Sequence, residues 1–200
     1  GTPGNVLVFG PLYRQIPGIT ISDCNGVTLD SVTIYHCGGM GVIAQRSGNI
    51  LLDRVTVTPL PNSKRMISVT ADATHFVNCF GKIEMRYCLF ENQIDDPSNI
   101  HGIYAKIIRQ PKEDEIIVQL VHPQQFGFDL VKSGEHLELV HGPSLMTYGA
   151  AQVKSVEYFN KEFIRIQFTQ TLPNDLKPGD AVAALGNYPE LYIQHCIMRG

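Results

Sequence analysis

The sequence predicts an all-β chain: a right-handed parallel β-helix, or solenoid, with a small antiparallel β-barrel inserted into it. Three observations predict this. Trp is absent, Gly numbers 18 and Pro 12 in 200 residues, and β-branched residues are frequent, a composition of strands and turns. One eight-residue pattern occurs four times. Its first three copies start 23 and 33 residues apart, and the fourth follows only after 108.

The four copies are residues 27–34, 50–57, 83–90 and 191–198. Position one reads Val27, Ile50, Ile83, Leu191, and position three reads Leu29, Leu52, Met85, Ile193. Position six reads Val32, Val55, Cys88, Cys196, and position eight reads Ile34, Val57, Phe90, Met198. A period in the low twenties with short alternating strands suits one coil of a parallel β-helix, where stacked coils align like residues into continuous columns. A leucine-rich repeat has a similar period, but no Leu-x-x-Leu-x-Leu consensus or Asn ladder stands here. An antiparallel sandwich would need hairpin turns between the copies.

A second strand per coil is traced at residues 18–21, 41–44, 66–69 and 102–105. The third coil is ten residues longer than the second. Its extra length falls around residues 59–64 and 72–80, and insertions in a stacked coil belong in its turns. Repeat logic stops near Arg109 and resumes near Glu190. Between them, alternating runs at 115–121, 136–141, 151–159, 163–168 and 181–185, parted by turn signals, read as a small antiparallel barrel. The expected domains are therefore residues 1–108 in β-helix coils, 109–188 in the barrel, and 189–200 returning to the helix. Nothing caps the repeat strand before Gly200, and a β-helix needs polar caps. Further coils are thus expected beyond the C-terminal end and before the N-terminal one, with self-association through the open end of the solenoid.

Five cysteines, Cys24, Cys37, Cys79, Cys88 and Cys196, include no Cys-x-x-Cys pair. Cys88 and Cys196 stand in a column otherwise filled by Val, so packing is the expected role. A net charge of −3 without a Lys/Arg cluster excludes an electrostatic nucleic-acid footprint. No apolar run reaches the length of a membrane span. No signal peptide stands in the chain, although the sequence begins Gly1-Thr2-Pro3 without Met, so that observation excludes little.

Two polar clusters flank the third copy: 71–75, containing Asp72 and His75, and 95–102, containing Asp95, Asp96, Asn99 and His101. Stacked coils put sequence-distant turns about 5 Å apart. Asp72, Asp95 and Asp96 would then form one carboxylate site, with an acid for a leaving oxygen and a base for water. His75, His101, Asn92 and Asn99 would bind sugar hydroxyls, with Arg46 and Lys64 as further substrate contacts. The alternative is ordinary turn chemistry, since Asp-Asp-Pro-Ser-Asn is a turn sequence. A metal site from Asp95, Asp96, His75 and His101 has no diagnostic ligand spacing behind it. Adjacent strand residues point to opposite faces, so a turn is needed to bring Asp95 and Asp96 inward together.

The stretch Ala71-Asp72-Ala73-Thr74-His75-Phe76, with Asp95-Asp96 and Asn99-Ile100-His101-Gly102, resembles glycoside hydrolase family 110. The resemblance implies a β-helix with an inserted barrel and an exo-acting, inverting α-1,3-galactosidase with no cofactor or metal. The three essential aspartates would be Asp72, Asp95 and Asp96, and the substrate a glycan ending in α-1,3-linked galactose of the blood-group-B type. A secreted, periplasmic or cell-surface parent protein is expected. Polygalacturonases are similar in sharing the fold and using three aspartates. Carried over from them, Asp96 would be the acid and Asp72 with Asp95 the base pair, while the residues alone leave the division of labour open. A polygalacturonase-like or lyase-like enzyme is the rival, although an acidic cluster repels a uronate. A non-catalytic carbohydrate-binding solenoid is the other.

Overall fold

The structure, a computed structural model, describes residues 2–5, 14 and 16–199. Gly1 and Gly200, which the expectation about the chain ends involves, lie outside the described residues. The chain forms two compact units, Gly1–His101 with Pro189–Gly200, and Gly102–Tyr188.

Among the described residues ten strands precede the insertion: β1 (Ile19–Ser22), β2 (Asn25–Asp30), β3 (Thr33–Ile34), β4 (Val42–Gln45), β5 (Gly48–Asp53), β6 (Thr56–Val57), β7 (Thr74–Val77), β8 (Phe80–Arg86), β9 (Leu89–Glu91) and β10 (Ser98–His101). The inserted strands are β11 (Tyr104–Lys112), β12 (Glu115–Gln119), β13 (His136–Val140), β14 (Thr147–Tyr158), β15 (Phe163–Phe168) and β16 (Ala181–Ala184). The chain then returns through β17 (Glu190–Gln194) and β18 (Ile197–Arg199).

The first unit is a parallel β-helix. Its three four-stranded sheets run β1-β4-β7-β10, β2-β5-β8-β17 and β3-β6-β9-β18, so each coil gives one strand to each sheet. The barrel interrupts the fourth coil between its first and second strands. Three of the four columns of the sequence repeat are ladder partners, and the position-six column stacks just before the third sheet, where the Val32, Val55 and Cys88 carbonyls accept from the Thr56, Leu89 and Ile197 N–H groups. Val27, Ile50, Ile83 and Leu191 lie in register, as do Leu29, Leu52, Met85 and Ile193. Ile34, Val57, Phe90 and Met198 follow on the third sheet. The middle coils are sealed: Ile50, Leu52, Val55, Val57, Ile83, Met85 and Phe90 are buried. Each such side chain contributes about 1.5–3 kcal/mol by leaving water.

Cys88 fills its column as a packed thiol beside Cys196. Burial, reinforced by the neighbouring Cys196 thiol, pushes Cys88 up to about 11, so it stays protonated at neutral pH. Each coil turns its corner through a residue with positive φ, and Ser31, Arg54, Tyr87 and His195 repeat this corner on all four coils. The repeat of this left-handed corner, unfavourable for most side chains, keeps coils of unequal length in register.

Two expectations are corrected. The first-sheet strands of the third and fourth coils are Thr74–Val77 and Ser98–His101, not 66–69 and 102–105. Residues 66–69 make one isolated bridge, Cys37 to Val69. Tyr104–Lys112 is the first barrel strand, pairing with β12 and β16, so the barrel starts before residue 109. Met66-Ile67-Ser68-Val69 and Gly102-Ile103-Tyr104-Ala105 are richer in apolar residues than the true strands Thr74-His75-Phe76-Val77 and Ser98-Asn99-Ile100-His101, none of the four alternates strictly, and so short a pattern does not say which sheet receives a strand.

Gly41 shows what the stack requires where the chain enters β4. Its N–H bonds the Asp72 carbonyl at 2.9 Å. A Cβ there would meet the Ala73 carbonyl oxygen at 2.5 Å and Val57 Cγ2 at 3.2 Å. Gly41→Ala is expected to cost about 1–3 kcal/mol of solenoid stability by forcing the 72–73 backbone outward. Urea denaturation of the two proteins measures it.

The second unit is a closed barrel in the order β11-β12-β15-β14-β13-β16. Asp180 is fully buried in it. Burial alone would raise its carboxyl. The Gly142 and Lys177 N–H groups and the Tyr148 hydroxyl, each hydrogen-bonded to it, and nearby His141 outweigh this and hold it below the usual aspartate value. A depressed folded-state value stabilises the barrel above the unfolded value of 3.8. That stability is lost as pH falls from there toward the lower folded value. Melting curves across this acid range should therefore show a falling Tm that Asp180→Asn flattens.

Candidate active site

Asp72 lies two residues before β7, and Asp96 two residues before β10. Thr74 pairs with Ser98 in the parallel ladder, which carries back to place Asp72 beside Asp96. The Ala73 N–H to Asp96 carbonyl bond, 2.9 Å, continues that ladder through the turn. Residues 92–97 form bends, not strand, between β9 and β10. The alternation rule therefore does not apply to Asp95 and Asp96, and both join the cluster. One carboxylate oxygen from each of Asp72, Asp95 and Asp96 lies within 4.8 Å of the other two. Oxygens so placed are near enough to share a cation, a spacing that exposed acidic groups commonly show without one.

The environments of the three differ. Asp72 is 2% exposed. Its Oδ2 meets His75 Nδ1 at 2.5 Å, and its Oδ1 is buried without a hydrogen-bond partner. Asp95 is exposed and paired with Arg14 at 2.6 Å. Asp96 is exposed, and Asn99 Nδ2 donates to its Oδ2 at 3.3 Å. His101 Nε2 lies 3.0 Å from His75 Nε2, with the two rings edge to face at 4.9 Å.

Residues 115–182 match a family model described as GLAA-B beta-barrel domain II. The match runs from the start of β12 into β16. The sequence is 33% identical over 198 residues to the α-1,3-galactosidase A of Shewanella woodyi, covering 98% of this chain and 32% of that protein. It is 33% identical to the α-1,3-galactosidase B of Phocaeicola vulgatus, covering 98% of this chain and 34% of that one. The α-1,3-galactosidase A of Bacteroides fragilis is 27% identical, with 96% of this chain and 32% of that protein covered. This chain is a homologue of the α-1,3-galactosidases. It spans about a third of the length of these curated relatives.

In this galactosidase homologue the remaining candidates are spread out. Asn92 takes the left-handed conformation after β9, and its Nδ2 donates to the Met66 carbonyl, pinning the long turn of the third coil. Lys64 lies exposed in that same turn. Arg46 follows β4, at the opposite end of the first sheet from the aspartates, and its guanidinium meets Asp23 at 3.2 Å. His75, Asn99 and His101 are the candidates that join the aspartates.

Arg14 is the residue at the site that sequence reading missed. It reaches Asp95 from a segment ahead of β1, and no motif announces such a reach. The His75 contact had a signal. Asp-x-x-His at 72–75 recurs one coil later as Asp-x-x-Asn at 96–99, with His75 and Asn99 in register.

Proposed function

We propose that these coils carry the catalytic carboxylates of an exo-acting, inverting glycoside hydrolase that releases terminal α-1,3-linked galactose. The observation that carries the reading is the meeting of Asp72, Asp95 and Asp96 within 4.8 Å. The α-1,3-galactosidase homology supports the substrate class.

The spacing speaks to mechanism. A single water hydrogen-bonded by two carboxylates at about 2.7 Å each needs their oxygens no more than roughly 5.4 Å apart. Two of these aspartates can therefore grip one water and take its proton as it attacks the anomeric carbon. The third gives its proton to the departing glycosidic oxygen. Asp96 is taken as the acid of this scheme and Asp72 with Asp95 as the base pair, the division that the resemblance to polygalacturonases implies.

A second reading follows from the same distance. Inverting pairs usually stand about 6.5–9.5 Å apart and retaining pairs about 5–5.5 Å. The present spacing is nearer the latter, so one aspartate could instead attack the sugar directly. The first-formed anomer decides between them. Proton NMR during hydrolysis of an α-1,3-galactosyl oligosaccharide is expected to show β-galactose first. Initial α-galactose would replace inversion by retention, and no galactose release at all would sink the hydrolase reading.

A further inference from the structure

We propose that His75 is a positioning residue for Asp72, held in one orientation and one tautomer by His101. The proposal rests on the carboxylate mechanism above and goes beyond it by giving the histidine pair a task. Sequence reasoning offers both histidines to sugar hydroxyls. The structure occupies both ring nitrogens of His75, with Asp72 Oδ2 at Nδ1 and His101 Nε2 at Nε2.

The chemistry of these contacts fixes the protons. A carboxylate only accepts, so His75 Nδ1 carries the hydrogen it gives to Asp72. Neutral His75 then has a lone pair at Nε2, and His101 Nε2–H donates to it across 3.0 Å. The His75 ring cannot turn without losing both bonds. Its grip on Oδ2 leaves Oδ1 buried and without a hydrogen bond from the described residues.

Asp96 has the corresponding holder one coil on, the Asn99 amide, at the longer distance of 3.3 Å. His75 and Asn99 are ladder partners, as Asp72 and Asp96 are by extension. The two acids are thus backed by the same position of adjacent coils, one by a locked imidazole and the other by a single looser amide bond.

The test uses kinetics on a terminal α-1,3-galactoside together with nitrogen-15 NMR of the histidine rings. In His75→Ala, kcat is expected to fall about 100-fold, the effect of a small misplacement of a reacting group, with KM little changed. His75→Asn should recover most of that loss, because its Nδ2 can stand where Nδ1 stood. His101→Leu should give a smaller loss in kcat, and His75 should then lose its fixed tautomer. The unaltered protein should show His75 protonated at Nδ1. A raised KM at unchanged kcat in His75→Ala would make the residue a substrate contact and overturn the proposal. So would an Nε2–H tautomer in the unaltered protein, or His75→Asn no better than His75→Ala. Activity lost in Asp72→Asn but intact in His75→Ala would overturn this inference alone. Full activity in Asp72→Asn would remove Asp72 from the carboxylate mechanism and this inference with it, whereas absence of galactose release from the unaltered protein would remove the hydrolase reading.

Discussion

Asp72→Asn is expected to lower kcat for release of terminal α-1,3-galactose by about 10²–10⁴-fold, the range that general acid–base groups contribute. The substitution keeps the shape of the side chain. Its amide oxygen can still accept from His75 Nδ1, so the buried contact need not collapse. What disappears is the negative charge and the basicity of the carboxylate, whose Oδ1 is buried and has no hydrogen-bond partner among the described residues. Asp96→Asn should lose activity on the same scale while disturbing the fold less, since Asp96 is exposed. Initial rates on an α-1,3-galactosyl oligosaccharide, with Tm measured alongside, check both. Undiminished turnover in either variant removes that residue from the mechanism.

Phe90→Ala is expected to destabilise the solenoid by about 3–5 kcal/mol, the range for deleting a buried aromatic ring. Phe90 is fully buried and lies in register between Val57 and Met198 on adjacent coils. A stack shares its core along the axis, so the cavity would open against the coils on both sides. Denaturant titration measures the loss. A second effect should accompany it. The 92–97 turn begins one residue after β9 ends, and a displacement of β9 is passed to Asp95 and Asp96. Activity should fall in the surviving folded fraction too, and Phe90→Leu should recover part of both losses.

The solenoid was legible because its columns repeat. Val27, Ile50, Ile83 and Leu191 are chemically alike, and the ladder pairs them as their spacing implies. The first-sheet strands of the third and fourth coils were harder to read. The third coil lengthens between β6 and β7, which shifts the offset from 23 to 32 residues at Val42↔Thr74. Spacing then gives no guide, and the apolar residues Met66, Ile67 and Val69 make 66–69 look more strand-like than Thr74-His75-Phe76-Val77. The aspartates were legible as turn residues flanking a repeat strand. Their holders were legible only in part. Asp72 to His75 is a local spacing, whereas Arg14 to Asp95 and His75 to His101 join different coils, and the sequence records no distance between coils.

The left-handed corner shared by Ser31, Arg54, Tyr87 and His195 has a consequence for how such a protein can change. It separates what has to be copied from what is free to vary. The corner and the column behind it are reproduced on every coil, whereas the loops between corners absorb ten extra residues in one coil and a whole barrel in the next. Variation can therefore be written into the loops without editing the stack. A one-residue change in the 92–97 turn would re-aim Asp95 against an unmoved Asp72, so this architecture can acquire or discard a reaction at one loop while its core sequence stands still.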